Sequence, residues 1–169
     1  MGTLRCTKKL LTELKLKPSA DAEESIGIGN WHANLLWIEH RKCVLFTNDQ
    51  TLFSFLVTGM KKPQFENFHE VFRLNLFKNL SNENLPQNQI EYVLDEHRKL
   101  QIAKTNNRSV LASMNELAYQ VRWLIHDMGG LINSNLTSLN HDLNRIPMGA
   151  IESIFSVEEL SKVLNQVDT

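Results

Sequence analysis

The chain has 169 residues, of which 42% are apolar and 22% are charged, and its formal net charge is −1. A chain of this length and composition can fold as an ordinary globular domain, burying roughly 70% of its unfolded surface without disulfides or a structural metal. The near balance of 18 Lys and Arg residues against 19 Asp and Glu residues excludes a globally basic nucleic-acid-binding protein, although a local basic patch remains compatible with it.

The first sixteen residues predict a strand and a helix rather than a targeting signal. Residues 3–6 favour a strand, and Thr7 is a suitable cap for a helix with Leu10, Leu11 and Leu14 on its apolar face. Lysines interrupt the leucines here, so the unbroken apolar core of a signal peptide is missing. No later window approaches the roughly 18 apolar residues of a membrane span. We therefore expect a cytoplasmic protein with no membrane association.

Residues 17–30 lose all apolar periodicity. This stretch combines Pro, Ser, Gly and acidic residues, which is typical of an exposed segment. We predict an acidic, flexible loop that buries nothing.

After this loop the apolar residues become too dense and too β-prone for a surface helix. Apolar residues alternate with mixed ones over 31–38, whereas 43–47 is almost wholly apolar, as in a central strand covered on both sides. A third strand over 52–57 follows the Asn48-Asp49 turn. The pattern predicts three strands in an antiparallel meander.

Beyond Pro63 the apolar period changes from two to about 3.6, which indicates helices. The best marked of them spans 108–128 and is ended by Gly129-Gly130. The other predicted elements are a helix with a stripe of Phe65, Phe68, Phe72 and Leu76, a helix that begins at Pro86, a strand over 100–105, a helix near 136–143, and a last helix with a Ser156/Glu159 capping box.

Together these elements predict one α+β domain over 1–169, with an antiparallel β-meander covered by several α-helices. Residues 130–169 would form a helical C-terminal extension packed on the same core. Cys6 and Cys43 lie in apolar surroundings without a CxxC motif, so we expect buried reduced thiols and neither a disulfide nor a zinc site.

The junction between the predicted strand at 100–105 and the long helix is the segment best suited to bind an anion. Asn106, Asn107, Arg108 and Ser109 bring amide, hydroxyl and guanidinium donors to a helix N-terminus, where unpaired N–H groups and about half a positive charge favour a phosphate or carboxylate. The alternative is that an asparagine only caps the helix and Arg108 pairs with a neighbouring acid.

Polar residues at the strand ends could complete a pocket at this junction. Asn34 lies in the first long strand, Asn48 ends the next, and Asn115 lies on the helix seven residues after Arg108. His32 is the candidate acid or base of such a pocket. Its alternative role is that of an ordinary surface or hydrogen-bonded histidine.

Two His-Asp pairs, at 126–127 and 141–142, are compatible with a metal-dependent phosphohydrolase of the HD type. Neither has supporting ligands at a plausible spacing, and both lie near predicted helix ends, where histidine interacts favourably with the helix dipole. We expect no metal site and no cofactor.

Three segments give the chain a resemblance to a known family. They are LRCTKKLLTEL, NWHANLLWIEHRKCVLFTNDQTLFSFLV and IAKTNNRSVLASMNEL. Over residues 3–128 the chain resembles a family of small bacterial proteins, domain of unknown function 6933, which shares a W-x-A-N-L-L strand and an N-R-S-V-L-x-S-M-N signature. The resemblance implies no activity. Its pattern coincides here with Thr7, Lys8, Lys9, Trp31, Asn34, Asn48, Thr51, Asn107, Arg108, Ser109, Ser113, Met114 and Asn115.

Three functions are compatible with these features, and the sequence does not decide whether the protein is an enzyme. The favoured hypothesis is a non-enzymatic binding or regulatory module that holds an anionic ligand or partner at residues 106–109; nucleic acid is one such anion, but the net charge does not favour it. The second is an enzyme acting on a phosphate-containing or amide substrate through Arg108 and His32. The third is a protein–protein component, such as a homodimer or one half of a bacterial defence or toxin–antitoxin pair.

Overall fold

The computed structural model describes residues 1–25 and 27–167, and their helices and strands match most of the predicted ones. The elements are β1 (Gly2–Cys6), α1 (Lys8–Leu14), β2 (Asn30–Ile38), β3 (Arg41–Asn48), β4 (Ser54–Val57), α2 (Lys62–Glu66), α3 (Phe68–Asn82), α4 (Gln87–Glu96), β5 (Leu100–Lys104), α5 (Arg108–Asp127), α6 (Leu136–Leu143) and α7 (Ser156–Val167). The aromatic stripe predicted as one helix is divided into α2 and α3, because Asn67 has a non-helical backbone.

The five strands form one mixed sheet in the order β4-β3-β2-β1-β5. The antiparallel meander of β2, β3 and β4 is confirmed. The prediction of a sheet consisting only of that meander is wrong, because β1 pairs in parallel with both β2 and β5. The physical reason is the crossover: α1 carries the chain from the end of β1 back to the start of β2, and such a connection produces parallel strands.

Helices cover both faces of the sheet, and each face has its own core. In the first core, α1, α3, α4 and α7 pack around an aromatic cluster in which the Trp31 and Phe72 ring centroids are 5.3 Å apart. In the second core, α5 and α6 pack on Leu36, Leu45 and Leu56. Alternation along β2 sends Trp31 to one core and Leu36 to the other, as the period of two requires.

The loop between α1 and β2 lies against the sheet and contributes a core residue, contrary to the expectation that it buries nothing. Ile28 is only 2% exposed in the first core. The Ser19 amide donates to the Ile102 carbonyl of edge strand β5 over 2.8 Å. The Glu23 carbonyl accepts from the side chain of Gln101 over 3.1 Å. The first bond satisfies one backbone carbonyl of the β5 edge, and the second ties the loop to a β5 side chain.

Two predicted helix caps are not formed by the expected side chains. The Thr7 hydroxyl makes no capping bond to α1 and donates to Asn34 instead. The Ser156/Glu159 capping box is also wrong: Ser156 Oγ donates to Asn144 Oδ1 over 2.9 Å, and Glu159 accepts from the Ser153 amide. In both cases a tertiary partner displaces the local one. The glycine stop of α5 is confirmed.

Candidate functional site

The predicted junction lies where two adjacent parallel strands end and their helices separate. Cys6 of β1 is the register partner of Lys104 of β5, so the chains that follow leave the sheet side by side. The helix after β1 packs in the first core and the helix after β5 in the second. In open sheets with parallel strands, a crevice forms at such a switch point, outside the carboxyl ends of the strands, and ligands often bind there.

Asn107 caps α5, as expected from the alternative in which an asparagine caps the helix and Arg108 pairs with a neighbouring acid. Its Oδ1 accepts from the Val110 amide over 3.1 Å. The other half of that interpretation is wrong, since Arg108 is exposed and forms no ion pair with any described residue. Its guanidinium is therefore free to contact a ligand.

His32 is directly connected to the junction but is fully buried. Its Nδ1 lies 2.7 Å from Asp49 Oδ1, and its Nε2 accepts a long hydrogen bond of 3.4 Å from the Asn106 amide. A neutral imidazole with its proton on Nδ1 satisfies both contacts. Both ring nitrogens are then occupied, so His32 positions the start of α5 from beneath.

Asn34 and Asn48, which were also predicted to line the pocket, differ in their hydrogen-bond partners and burial. Asn34 Oδ1 accepts from Thr7 Oγ1 over 2.8 Å, which ties β2 to the start of α1. Asn48 is 1% exposed; its Oδ1 accepts from the Thr51 amide within the turn, and its Nδ2 donates to the Ile28 carbonyl in the loop before β2. Asn48 thus stabilises the β3–β4 connection and does not line the crevice.

Ser109 and Asn115 are both exposed on α5. Ser109 is in the first turn, whereas Asn115 lies about 10 Å further along the helix axis, at 1.5 Å per residue. Residues 106–109 follow the end of β5, Asn34 bonds to Thr7 directly after the end of β1, and His32 bonds to the Asn106 backbone amide; Asn115 lies two helical turns away.

Three further lysines lie at the ends of the elements that meet at this edge, and the sequence already places one of them, Lys104, directly before the predicted junction. Lys8 and Lys9 begin α1, Lys104 ends β5, and all three are exposed. Within the described ranges none of them is in an ion pair. Lys8 and Lys9 also line a shallow hollow of about 580 Å³ with Thr7, Thr12 and Asn34. In the sequence, Lys8 and Lys9 are marked by their place in the pattern shared with the family, directly after a predicted strand.

Each histidine of the two His-Asp pairs has a partner close by in sequence. The His126 ring stacks on Trp123 with centroids 6.2 Å apart, and His141 lies 3.4 Å from the neighbouring carboxylate of Asp142 at the surface. In the part of the chain that the structure describes, no three His, Cys, Asp or Glu side chains are grouped so that they could hold a metal ion.

Comparison with known proteins identifies a family. A family model described as a domain of unknown function (DUF6933) matches residues 3–159, which extends the resemblance from α5 into α7. No curated protein and no solved structure matches the chain. Among the described helices, none combines the length and the apolar character that crossing a bilayer requires.

Proposed function

The chain belongs to the DUF6933 family, and we propose that it is a non-enzymatic binding module that holds a phosphate- or carboxylate-bearing ligand at the carboxyl ends of β1 and β5. We call this the carboxyl-edge site. The observation that supports the proposal is that four exposed cations, with no ion pair among the described residues, end β5 or begin the helices that follow β1 and β5. They are Lys8, Lys9, Lys104 and Arg108.

The backbone at the start of α5 supports the same ligand chemistry. Asn107 occupies the Val110 amide, but the amides of Arg108 and Ser109 belong to the first turn and have no carbonyl within the helix to bond. Unpaired N–H groups at a helix N-terminus attract anions, and the helix dipole adds about half a positive charge. The Arg108 guanidinium can then grip two oxygens of a phosphate or carboxylate at once.

The position of His32 favours binding over catalysis. A general base must lie within hydrogen-bonding reach of the proton that it removes, directly or through one water. The His32 ring is completely buried between Asp49 and the Asn106 amide. The cations at the edge can hold an anion without any movement of this ring.

Calorimetric titration with inorganic pyrophosphate tests the proposal. We expect saturable binding that weakens with added salt, and about a tenfold loss of affinity, or about 1.4 kcal/mol, for Arg108→Gln and for Lys8→Gln. Lys78→Gln is the matched control, because Lys78 is exposed on α3 and in no described ion pair. Equal affinity in all three variants, or no binding at physiological ionic strength, would refute the carboxyl-edge site.

A further inference from the structure

A second concave surface lies at the other end of α1, beyond the β2–β3 hairpin. Its volume is about 660 Å³, within the range of roughly 300–1,000 Å³ that is usual for small-ligand sites. Three segments that are distant in sequence build it: the end of α1, the hairpin around residues 37–42, and residues 59–66 with α2. We call it the Trp37 hollow.

An exposed aromatic ring lies in this hollow. Trp37 is 54% exposed although it stands in a β-strand whose other members are mostly buried. Lys42 Nζ lies 5.2 Å from the centroid of the Trp37 ring and 6.0 Å from that of Phe65, and it pairs with Glu13. The ammonium group thus lies over one face of the indole in a cation–π contact, while more than half of the Trp37 surface stays exposed.

The rim of the hollow is strongly cationic. Five basic side chains line it, against the two acidic side chains of Glu13 and Glu66, in a protein whose overall charge is −1. Glu13 is already paired with Lys42, and Glu66 lies 3.9 Å from one exposed lysine. The basic lining residues are Lys15, Arg41, Lys42, Lys61 and Lys62.

Unfavourable backbone geometry is maintained on the same rim. Glu39 and His40 form the hairpin turn with φ values of 51° and 63°, and Lys15 ends α1 with φ 56°. A turn with two residues of positive φ normally contains Asn or Gly. Here the Glu39 carboxylate accepts from the Leu131 amide over 2.6 Å, which holds the turn and places His40 at the hollow. Strain of this kind persists where the surrounding structure over-determines it, and it is concentrated at ligand sites.

The geometry points to a nucleotide as the ligand of the Trp37 hollow, with its base stacked on the Trp37 indole and its phosphates among Arg41, Lys15 and Lys61. Stacking on an exposed aromatic ring suits any base, because every base has a π face. Flanking lysines and an arginine supply the charge for two or three phosphates. The combination recognises a phosphorylated nucleoside better than either a bare anion or an uncharged aromatic compound.

The test is titration with ADP, followed by tryptophan fluorescence and calorimetry. Since the carboxyl-edge site would also attract phosphates, the titration is repeated in Arg108→Gln, which leaves the Trp37 hollow intact. We expect saturable quenching in both proteins, and at least a tenfold loss of ADP affinity in Trp37→Leu. Trp123→Leu is the matched control, because Trp123 is 58% exposed on another element. Thermal melts verify that each variant is folded.

Further ligands separate this proposal from its competitors. Adenosine and inorganic pyrophosphate should each bind at least tenfold more weakly than ADP, and Arg41→Gln should weaken ADP more than adenosine. Pyrophosphate that binds as tightly as ADP, with Trp37→Leu unaffected, would overturn the proposal in favour of a simple anion site. A ten-nucleotide single strand that binds more tightly than ADP would overturn it in favour of nucleic acid. Loss of ADP binding in Arg108→Gln but not in Trp37→Leu would assign the nucleotide to the carboxyl-edge site instead.

Discussion

Asn140 pairs with Leu56 as a neighbouring strand would. Its Oδ1 accepts from the Leu56 amide over 2.7 Å, and its Nδ2 donates to the Leu56 carbonyl over 3.2 Å. Asn144, one turn further along, makes the same pair of bonds with Ser54 over 2.8 and 2.7 Å. Two side chains of the α6 segment thus satisfy the outer edge of β4, which would otherwise present unpaired backbone groups for association with another chain.

Replacing Asn140 should therefore destabilise the fold through the strand rather than through the helix. In Asn140→Ala the buried amide and carbonyl of Leu56 lose their partners, and we expect a loss of about 1–3 kcal/mol in the free energy of unfolding. Urea denaturation measures it. Asn115→Ala is the control, because Asn115 is exposed on α5, and it should change stability by less than about 0.5 kcal/mol. Equal stability of both variants would show that water replaces the amide at β4.

The Asp49–His32 pair should behave as a structural hydrogen bond. Because Asp49 accepts from His32 Nδ1, Asp49→Ala leaves a buried donor unpaired, and we expect a loss of about 1–3 kcal/mol. Asp49→Asn retains an acceptor oxygen and should preserve most of that stability. Urea denaturation of both variants and hydrogen exchange at the Asn106 amide provide the measurements. We expect faster exchange of the Asn106 amide in Asp49→Ala alone. Identical exchange rates in the two variants would show that the Asp49–His32 bond does not hold this amide in place.

The helices and most strands could be predicted from the sequence because their signals are local. The i, i+3, i+4 spacing around Met114 and the alternation around Leu35 depend only on neighbours along the chain. The parallel pairing of β1 could not be predicted, since residues 2–6 contain no information about which strand, 27 or 98 residues later, will lie beside them. Pairing across such separations is decided by the packing of α1 and the later helices.

The candidate site was predictable in part, for the same reason. Asn107 is a local cap and lies where the sequence placed it. Asn48 was included as a site residue because a polar residue at a strand end has the same sequence signal whether it binds a ligand or closes a turn; its buried hydrogen bonds show the second role. The Trp37 hollow was not predictable, because segments from three parts of the chain build it.

Stability should fall in mild acid because of His97. Its Nε2 accepts from Trp31 Nε1 over 2.7 Å and its Nδ1 faces the Val93 carbonyl at 2.6 Å, so the folded protein holds a neutral ring. Burial lowers the pKa of His97 below its ordinary value of 6.5. Below pH 6.5 the unfolded chain therefore binds more protons than the folded one, and stability decreases as the pH falls toward the lowered folded pKa.

Urea denaturation between pH 7.5 and 5.5 measures this effect. We expect the free energy of unfolding to decrease with a limiting slope of about 1.4 kcal/mol per pH unit for each such histidine. His97→Gln should be less stable at pH 7.5 and should have a shallower slope. Part of the remaining slope comes from His69, because burial also lowers the pKa of that histidine. His141→Gln, at an exposed position, is the control and should retain the full slope.

Both cysteines should be inert in the folded protein and reactive once it unfolds. Burial raises the pKa of the Cys6 thiol to about 12 and that of Cys43 to about 11, where the Arg122 charge offsets part of the effect. The thiolate is the reactive species, so at pH 8 a disulfide reagent such as DTNB should label neither thiol on the time scale of minutes. Under full denaturation both thiols should react at once.

The slow labelling that remains in the folded state should distinguish the two positions. With a pKa about one unit lower while both thiols are buried, Cys43 has roughly tenfold more thiolate at a given pH. Cys43 should therefore react first where labelling needs no local opening, because exposure returns each thiol to its ordinary pKa. The variants Cys6→Ala and Cys43→Ala assign each phase. If Cys6 is labelled first, local opening of β1 rather than thiol acidity controls access, and the first core is then less stable than the second. Immediate labelling of either thiol at pH 8 would contradict its burial altogether.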